Sequence, residues 1–284
     1  MNGFGARLVE AVAAHGPLCV GIDPHPALLA EWGLTDDADG LERFAMSCVD
    51  ALAGHVAVVK PQSAFFERHG SAGIEVLERV LAALAGTSTL SLLDVKRGDI
   101  GSTMDGYADA YLGVGAPLAA DAITLSPYLG LGSLTSAIRT AEDAGRGVFV
   151  LARTSNPEGA QVQLADWAGR CVAQTVVDGA AALNAAGERS GGVQRCLDDA
   201  ASLGGVGVVV GATAVHGLDL SALNGPVLAP GFGEQGARPS DLAARFAGVN
   251  GIVLPSASRS VLRAGPAAMR VAAAALRDEL VAAG

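Results

Sequence analysis

The chain has 284 residues, half of them apolar, and carries a formal net charge of −10 at pH 7. A single α/β barrel needs about 250 residues, so the length suits one such domain. The negative charge argues against nucleic acid or an anionic membrane surface as a partner, because both are bound by basic patches.

The sequence also predicts a cytoplasmic protein. The N-terminus lacks the basic and apolar regions of a signal peptide, and no apolar run approaches the roughly 20 residues of a membrane helix. The four cysteines are widely spaced, without a CxxC pair or a histidine in zinc-ligand spacing. We therefore expect buried free thiols in a reducing compartment.

Eight short apolar runs have the composition of parallel strands that are buried on both faces. In chain order they occupy residues 18–22, 56–59, 89–95, 120–125, 147–151, 206–210, 226–228 and 251–254. Stretches with helical spacing, such as 41–52 and 74–84, lie between them. The alternation predicts an α/β fold, a (β/α)8 barrel forming a single domain over residues 1–284, with extra helix near 155–205. A doubly wound sheet is the alternative, because periodicity alone cannot show that the sheet closes.

In a barrel, the loops after the carboxyl ends of the strands build the active face. Polar and ionisable residues collect at these predicted ends. They include Asp23, Lys60, Asp94, Lys96, Asp99, Ser126, Arg153, Ser155, Glu234 and Ser258. The sequence therefore predicts a site at one end of the barrel.

Lys60 and Lys96 are the only lysines beside seventeen arginines, and each closes an apolar run. Asp94 and Lys96 are two residues apart on a predicted strand, so their side chains leave the same face. Desolvated at the barrel mouth, they would hold each other charged. With Lys60 and Asp23 they could form an array of alternating sign that fixes an ammonium group as a proton donor. A structural salt bridge is the alternative.

Glycines and an arginine near the C-terminus predict a phosphate site. Residues 230–236 offer flexible backbone and the Gln235 amide, and Ser258 and Arg259 open the last predicted helix. Barrel enzymes often bind phosphate with the loops after strands 7 and 8. Near the third strand, Thr103 is expected to cap a helix or to bind a ligand. We expect Trp167 in packing and Glu67 on a solvated helix face.

Together these motifs resemble the orotidine 5′-phosphate decarboxylase family, in particular its longer bacterial subclass. The resemblance rests on segments 20–23, 58–62, 94–100, 154–157 and 229–231, on Gln235 and on segment 258–260. It implies a homodimeric (β/α)8 barrel that converts orotidine 5′-phosphate to UMP and CO2, the last step of de novo UMP synthesis. It also implies that neither a metal nor an organic cofactor takes part.

The resemblance further assigns roles to individual residues. Lys96 would donate a proton to C6 of the pyrimidine, and Lys60, Asp94 and Asp99 would complete the charged array. Asp99, Ile100 and Thr103 would reach into the site of the other subunit. The substrate-binding residues would be Asp23 at the ribose, Ser155 or Thr154 at the pyrimidine, and Gln235 and Arg259 at the phosphate, under a closing loop that starts at Pro230.

Three other functions fit parts of the pattern. A sugar-phosphate synthase or decarboxylase of the same barrel group also uses an Asp-x-Lys pair, but it requires Mg²⁺. A Schiff-base aldolase would use a lysine directly. A non-catalytic phosphate-binding barrel would explain the glycine-rich loops, although it gives no reason for two lysines beside carboxylates.

Overall fold

The computed structural model describes residues 2–190, 203–233 and 236–283. Eight parallel strands close into a barrel in which neighbours in the chain pair and the last strand pairs with the first. The strands are β1 (Cys19–Ile22), β2 (Val58–Pro61), β3 (Leu90–Arg97), β4 (Ala122–Leu125), β5 (Gly147–Arg153), β6 (Val206–Val210), β7 (Val227–Pro230) and β8 (Val253–Ala257). Closure confirms the predicted (β/α)8 barrel and excludes the doubly wound sheet.

Helices surround the barrel and lie at its ends. They are α1 (Phe4–His15), α2 (Pro26–Glu31), α3 (Ala38–Leu52), α4 (Ser63–Glu67), α5 (Gly70–Leu84), α6 (Gly101–Leu112), α7 (Thr135–Asp143), α8 (Ala160–Gln163), α9 (Val172–Ser190), α10 (Pro239–Arg245), α11 (Arg259–Leu262) and α12 (Gly265–Ala283). The predicted apolar stripe of α3, which includes Leu41, Phe44 and Cys48, is buried against the strands. Among the described residues, no helix has the length and apolarity needed to cross a membrane.

The strands are buried on both faces because two layers of apolar side chains flank them. An inner layer fills the barrel and includes Leu92, Phe149 and Leu254. Helix α1 adds Phe4 and Leu8 to this layer, and the rings of Phe4 and Phe149 meet edge to face with centroids 6.0 Å apart. This apolar layer ends before the carboxyl ends of the strands, where the barrel is polar.

The connection from β5 to β6 departs most from the simple repeat. A 3-10 turn at Pro157–Gly159, helix α8 and a hairpin of Asp166–Trp167 with Arg170–Cys171 precede α9. The hairpin was not predicted, because its two-residue strands are too short to show a pattern. Trp167 lies on it and is 67% exposed, so the prediction of a packing role for Trp167 is wrong.

Candidate active site

The carboxyl ends of the strands surround a cavity of about 690 Å³. Its wall consists of the last residues of the strands and the first residues of the following loops, as expected for the active face of this fold. Among the predicted site residues, the cavity is lined by Asp23, Lys60, Asp94, Lys96, Thr154, Ser155, Pro230, Ser258 and Arg259.

Asp94, near the end of β3, is the centre of the charged groups. Lys60 Nζ donates to Asp94 Oδ2 at 3.1 Å, and Lys96 Nζ donates to Oδ1 at 2.6 Å. Gln62 Nε2 donates to Oδ2 at 2.9 Å, and Thr124 Oγ1 donates to Oδ1 at 2.8 Å. Asp94 and Lys60 are each only 7% exposed. The carboxylate is therefore buried but fully bound by donors.

These buried charges keep each other ionised. Burial alone would lower the pKa of Lys60, but the carboxylates of Asp94 and Asp23 outweigh that effect and raise its pKa above the usual value. Burial likewise acts to raise the pKa of Asp94, but Lys60 and Lys96 outweigh it and hold that pKa well below its usual range. The predicted anion between two cations is thus present in the structure.

Lys96 does not have regular strand geometry. Its φ is +45°, an uncommon conformation for a residue with a side chain, and the pairing of β3 with β4 shifts register between Leu93 and Arg97. The Lys96 amide donates to Thr124 Oγ1 at 2.9 Å. The Lys96 side chain is 47% exposed, so the expectation that Asp94 and Lys96 are both desolvated is wrong for the lysine in a single chain. The irregular backbone turns Lys96 towards the open mouth of the cavity.

Two buried polar atoms of the cavity wall, Asp23 Oδ1 and Ser258 Oγ, have no hydrogen-bond partner among the described residues. Their side chains meet around Gly21, where an added Cβ would lie 3.0 Å from Ser258 Cβ and 3.2 Å from Asp23 Oδ2. Buried polar atoms are normally hydrogen-bonded. The cavity wall therefore contains two hydrogen-bonding atoms that no described residue uses.

The loop after β7 contacts the segment after β8. Gly231 and Gly233 have φ values of +117° and +78°, a region that favours glycine. An added Cβ on Gly233 would lie 2.8 Å from the Ser260 side chain. The chain thus turns sharply directly after Pro230 and approaches the start of α11 closely.

Arg259 is the first residue of α11 and lines the cavity beside this loop. It does not open the last helix, as the sequence suggested, because the four-residue α11 ends at Leu262 and α12 follows. Gln235, the other predicted phosphate ligand, lies outside the described residues.

Thr154 and Ser155 follow β5, and both line the cavity. Thr154 Oγ1 donates to Asn156 Oδ1 at 2.7 Å and accepts from Gln163 Nε2 at 2.7 Å. The Ser155 backbone lies against Gly211, where an added Cβ would be 3.1 Å from Ser155 N. The Thr154 hydroxyl therefore donates its proton within the protein, to Asn156.

Asp99, Ile100 and Thr103 are not part of the described cavity wall of their own chain. They lie on the connection from β3 to α6 and in the first turn of that helix. Asp99 Oδ1 accepts from the Ile100 amide at 2.8 Å, and Ile100 is 62% exposed. Helix α6 begins at Gly101 with Ile100 as its N-cap, so the interpretation of Thr103 as a helix cap is wrong.

Sequence reasoning missed two of the groups that hold Asp94. Thr124 had one signal, since a hydroxyl within a buried apolar strand requires a partner. Gln62 ends the motif segment 58–62, but no role was assigned to it. The expectation for Glu67 is also wrong. Its Oε1 accepts from Arg97 at 2.5 Å and from Ser63 Oγ at 2.6 Å instead of facing only solvent.

Comparison with known proteins gives a consistent family. The model described as "Orotidine 5′-phosphate decarboxylase / HUMPS family" matches residues 16–274. A protein of Salinispora arenicola named orotidine 5′-phosphate decarboxylase is 57% identical over 277 residues, which are 96% of this chain and 95% of the relative. A protein of the same name from Salinispora tropica is 55% identical over 279 residues, with 98% and 96% covered.

Solved structures agree with this result. A crystal structure from Streptomyces avermitilis, provisionally assigned as an orotidine 5′-phosphate decarboxylase, is 51% identical with a TM-score of 0.91 and covers 100% of this chain and 96% of its own. The OMP decarboxylase of Leishmania donovani is 28% identical with a TM-score of 0.77, and 99% and 98% of the two chains are covered.

A closed barrel with a lysine–aspartate–lysine array in the cavity at its carboxyl ends defines a (β/α)8-barrel enzyme site. The chain belongs to the orotidine 5′-phosphate decarboxylase / HUMPS family. This confirms the resemblance found in the sequence. The name of the relatives describes a carboxy-lyase, which is the expected enzyme class.

Proposed function

We propose that this chain converts orotidine 5′-phosphate to UMP and CO2, the last step of de novo UMP synthesis, without a metal ion. The Lys60–Asp94–Lys96 array in the cavity is the observation that carries the proposal. The substrate follows from the name of the relatives that are 55–57% identical over nearly the whole chain.

In the proposed reaction, the bond between pyrimidine C6 and its carboxylate breaks, CO2 leaves and the electron pair stays on C6. Lys96 Nζ donates a proton to C6 and later regains one from water. Because the Asp94 contact fixes the ammonium group beforehand, its charge stabilises the developing carbanion without reorganisation. The ionised Asp94 would lie beside the substrate carboxylate and raise the energy of the bound ground state.

The remaining cavity residues would bind the rest of the nucleotide. Asp23 would accept hydrogen bonds from the ribose hydroxyls, since it lines the cavity and one of its oxygens has no partner among the described residues. Ser155 would contact the pyrimidine, because the Thr154 hydroxyl donates within the protein. Arg259 and Gln235 would bind the phosphate while the loop from Pro230 closes, so that binding energy from the phosphate helps to assemble the site.

The proposal includes a homodimer that shares its active sites. Asp99, with Ile100 and Thr103, would enter the cavity of the partner and place a further carboxylate beside Lys96. The exposure of Ile100 and the half-exposed Lys96 at the cavity mouth support this arrangement.

We also infer a cytoplasmic location. Cys19 and Cys48 are buried free thiols, as is usual for proteins in a reducing compartment. Burial raises the pKa of Cys19 to about 12 and that of Cys48 well above its usual value. Both are therefore thiols without the character of a nucleophile.

The test is the loss of orotidylate absorbance with the purified, chelator-treated protein, together with identification of UMP as product. We expect undiminished turnover after EDTA treatment. Activity that disappears with EDTA and returns with Mg²⁺ would instead indicate the metal-dependent barrel enzymes. Borohydride trapping of a substrate on a lysine would indicate an aldolase, and tight phosphate-ester binding without turnover would indicate a binding protein.

Hybrid dimers test the shared site. Lys96→Ala and Asp99→Ala chains carrying different tags are co-expressed, and the doubly tagged dimer is isolated. Each hybrid would contain one complete site, so we expect half of the wild-type turnover although both parent homodimers are inactive. An inactive hybrid of normal dimeric size would contradict sharing.

A further inference from the structure

Arg97, the last residue of β3, joins two helices on the active face. Its Nη2 donates to Glu67 Oε1 of α4 at 2.5 Å and to Tyr111 Oη of α6 at 3.3 Å. Its guanidinium carbon lies 5.5 Å from the ring centre of Tyr107 and 5.9 Å from that of Tyr111. Both distances are within the range of cation–π attraction. One side chain thus holds α6 against α4.

The connection that Arg97 begins is short and closely fitted. Residues 98–100 alone separate β3 from α6. The Arg97 carbonyl accepts from Ser126 N at 2.7 Å, and an added Cβ on Gly98 would lie 2.3 Å from the Ser126 carbonyl oxygen. The chain is thus held against the loop after β4 at Arg97 and Gly98. The position of the rest of the connection is set by α6, which begins three residues later. Asp99 lies within this connection.

Lys96 directly precedes Arg97 in the chain, but it is held by other groups than those that hold Arg97. Its Nζ binds Asp94 and its amide binds Thr124. The side chain of Arg97 instead reaches α4 and α6. Loss of the guanidinium would therefore release Tyr107 and Tyr111, in the middle and at the end of α6. Because α6 moves as one short helix, its first turn and Asp99 would shift with it, while the contacts of Lys96 remain.

We propose that Arg97 is a positioning residue that acts in trans. It holds Asp99 of its own chain in position, and Asp99 completes the active site of the partner subunit. This inference rests on the proposed decarboxylase with shared sites. The ion pair with Glu67 and the two tyrosine rings supply the rigidity, since a planar guanidinium can pair with a carboxylate and stack on rings at once. Arg97 also lines the cavity of its own chain, so the test has to separate action in trans from a direct contact in cis.

Arg97→Ala should lower kcat/KM by about 100-fold, the effect of a misplacement of roughly 1 Å in an active site. Arg79→Ala is the matched control, because Arg79 is likewise an arginine in salt bridges with glutamate, here Glu42 and Glu75, but on the exposed surface of α5. It should retain wild-type kinetics. Thermal melts establish that both variants are folded, and Arg97→Lys, which keeps the charge and loses the planar stack, replaces Arg97→Ala if the latter does not fold.

Two hybrid dimers separate action in trans from action in cis. In a hybrid of Arg97→Ala with Lys96→Ala, one site combines Lys96 of the Arg97→Ala chain with Asp99 of the other chain, which still has its Arg97. That site is complete, so half of the wild-type turnover is expected. In a hybrid of Arg97→Ala with Asp99→Ala, the one remaining Asp99 belongs to the chain that lacks the Arg97 guanidinium. Its turnover should be about half of that of the Arg97→Ala homodimer, because only one of its two sites contains an Asp99.

The reverse pattern, with the second hybrid active and the first impaired, would overturn the proposal and assign Arg97 to its own site. Impairment of both hybrids, or wild-type kinetics of Arg97→Ala, would also overturn it. The Lys96→Ala and Asp99→Ala hybrid is measured in parallel. If that reference is inactive, sharing itself fails, whereas an active reference with a wrong Arg97 pattern refutes the Arg97 inference alone.

Discussion

Asp94 accepts hydrogen bonds from two lysines, an amide and a hydroxyl. An ionised carboxylate that is buried without partners would be strongly destabilising, and it would take up a proton instead. Four donors remove that penalty and leave a fixed negative charge in the cavity wall. The same arrangement holds the Lys96 ammonium group in place, which is the property that a proton donor requires.

At the phosphate end, Arg259→Ala should mainly weaken substrate binding. A charged hydrogen bond contributes about 1.5–3 kcal/mol, so we expect KM to rise by about 10–100-fold with a smaller change in kcat, measured by steady-state kinetics. Arg263→Ala is the control, because Arg263 lies four residues later and is 53% exposed beside Glu31. A lower kcat with unchanged KM would contradict the assignment of Arg259 to the phosphate.

Among the elements, the connection from β3 to α6 has little steric freedom at Gly98. Gly98→Ala would place a Cβ 2.3 Å from the Ser126 carbonyl oxygen, so the connection must shift. We expect a loss of about 1–3 kcal/mol in the free energy of unfolding and a clear loss of activity. Gly106→Ala in α6 is the control, since nothing lies within 4 Å of an added Cβ there. It should stabilise the helix by about 0.5–1 kcal/mol. Equal unfolding free energies for the two variants would refute this steric account.

Helix α10 is joined to the loop after β6 by His216. Its Nε2 donates to the Arg245 carbonyl at 2.6 Å, and its Nδ1 accepts from the Leu218 amide at 3.0 Å. The bond that Nδ1 accepts requires the neutral ring, whereas Nε2 can donate in either protonation state. Burial lowers the pKa of His216 below its usual value, so the unfolded chain binds the proton more readily than the folded chain. This contribution to stability is present above the unfolded pKa and is lost as the pH falls through and below it.

Urea unfolding at about pH 7.5 and about pH 5.5, on either side of the ordinary histidine pKa, measures this effect. The free energy of unfolding should fall less in His216→Leu than in the wild type over this interval, because the variant has no ring to protonate. Identical pH dependence of the two proteins would show that His216 does not contribute.

For the whole molecule, the eight strands were predictable because apolar runs that are buried on both faces leave a strong pattern in the sequence. Lys60, Asp94 and Lys96 were predictable as a cluster, since parallel strands bring their carboxyl ends together. The half-exposed position of Lys96 was not predictable, because it follows from a register shift between β3 and β4. Arg97 was missed for a similar reason. Its partners lie on α4 and α6, and only the packed structure brings them to one guanidinium.

The proposed dimer makes a prediction at the same scale. Tyr128 follows β4 beside the connection to α6 and is 77% exposed. We expect Tyr128→Arg to weaken dimer formation by at least about tenfold, as for an aromatic residue in an interface, and to lower activity at dilute concentration. Sedimentation over a range of concentrations measures this. Val271→Arg on α12, at 70% exposure, is the control. An equal effect of the two substitutions on the dimer dissociation constant would exclude the active face as the interface.

The most direct test of the whole account is the turnover of orotidine 5′-phosphate by Lys96→Ala. Asp94 keeps Lys60, Gln62 and Thr124 as donors in this variant, so the fold should remain intact by circular dichroism and thermal melting. The loss of proton donation and of charge stabilisation together predicts a fall in kcat of about 10⁴-fold or more. A folded Lys96→Ala dimer with near-wild-type kcat would contradict the account.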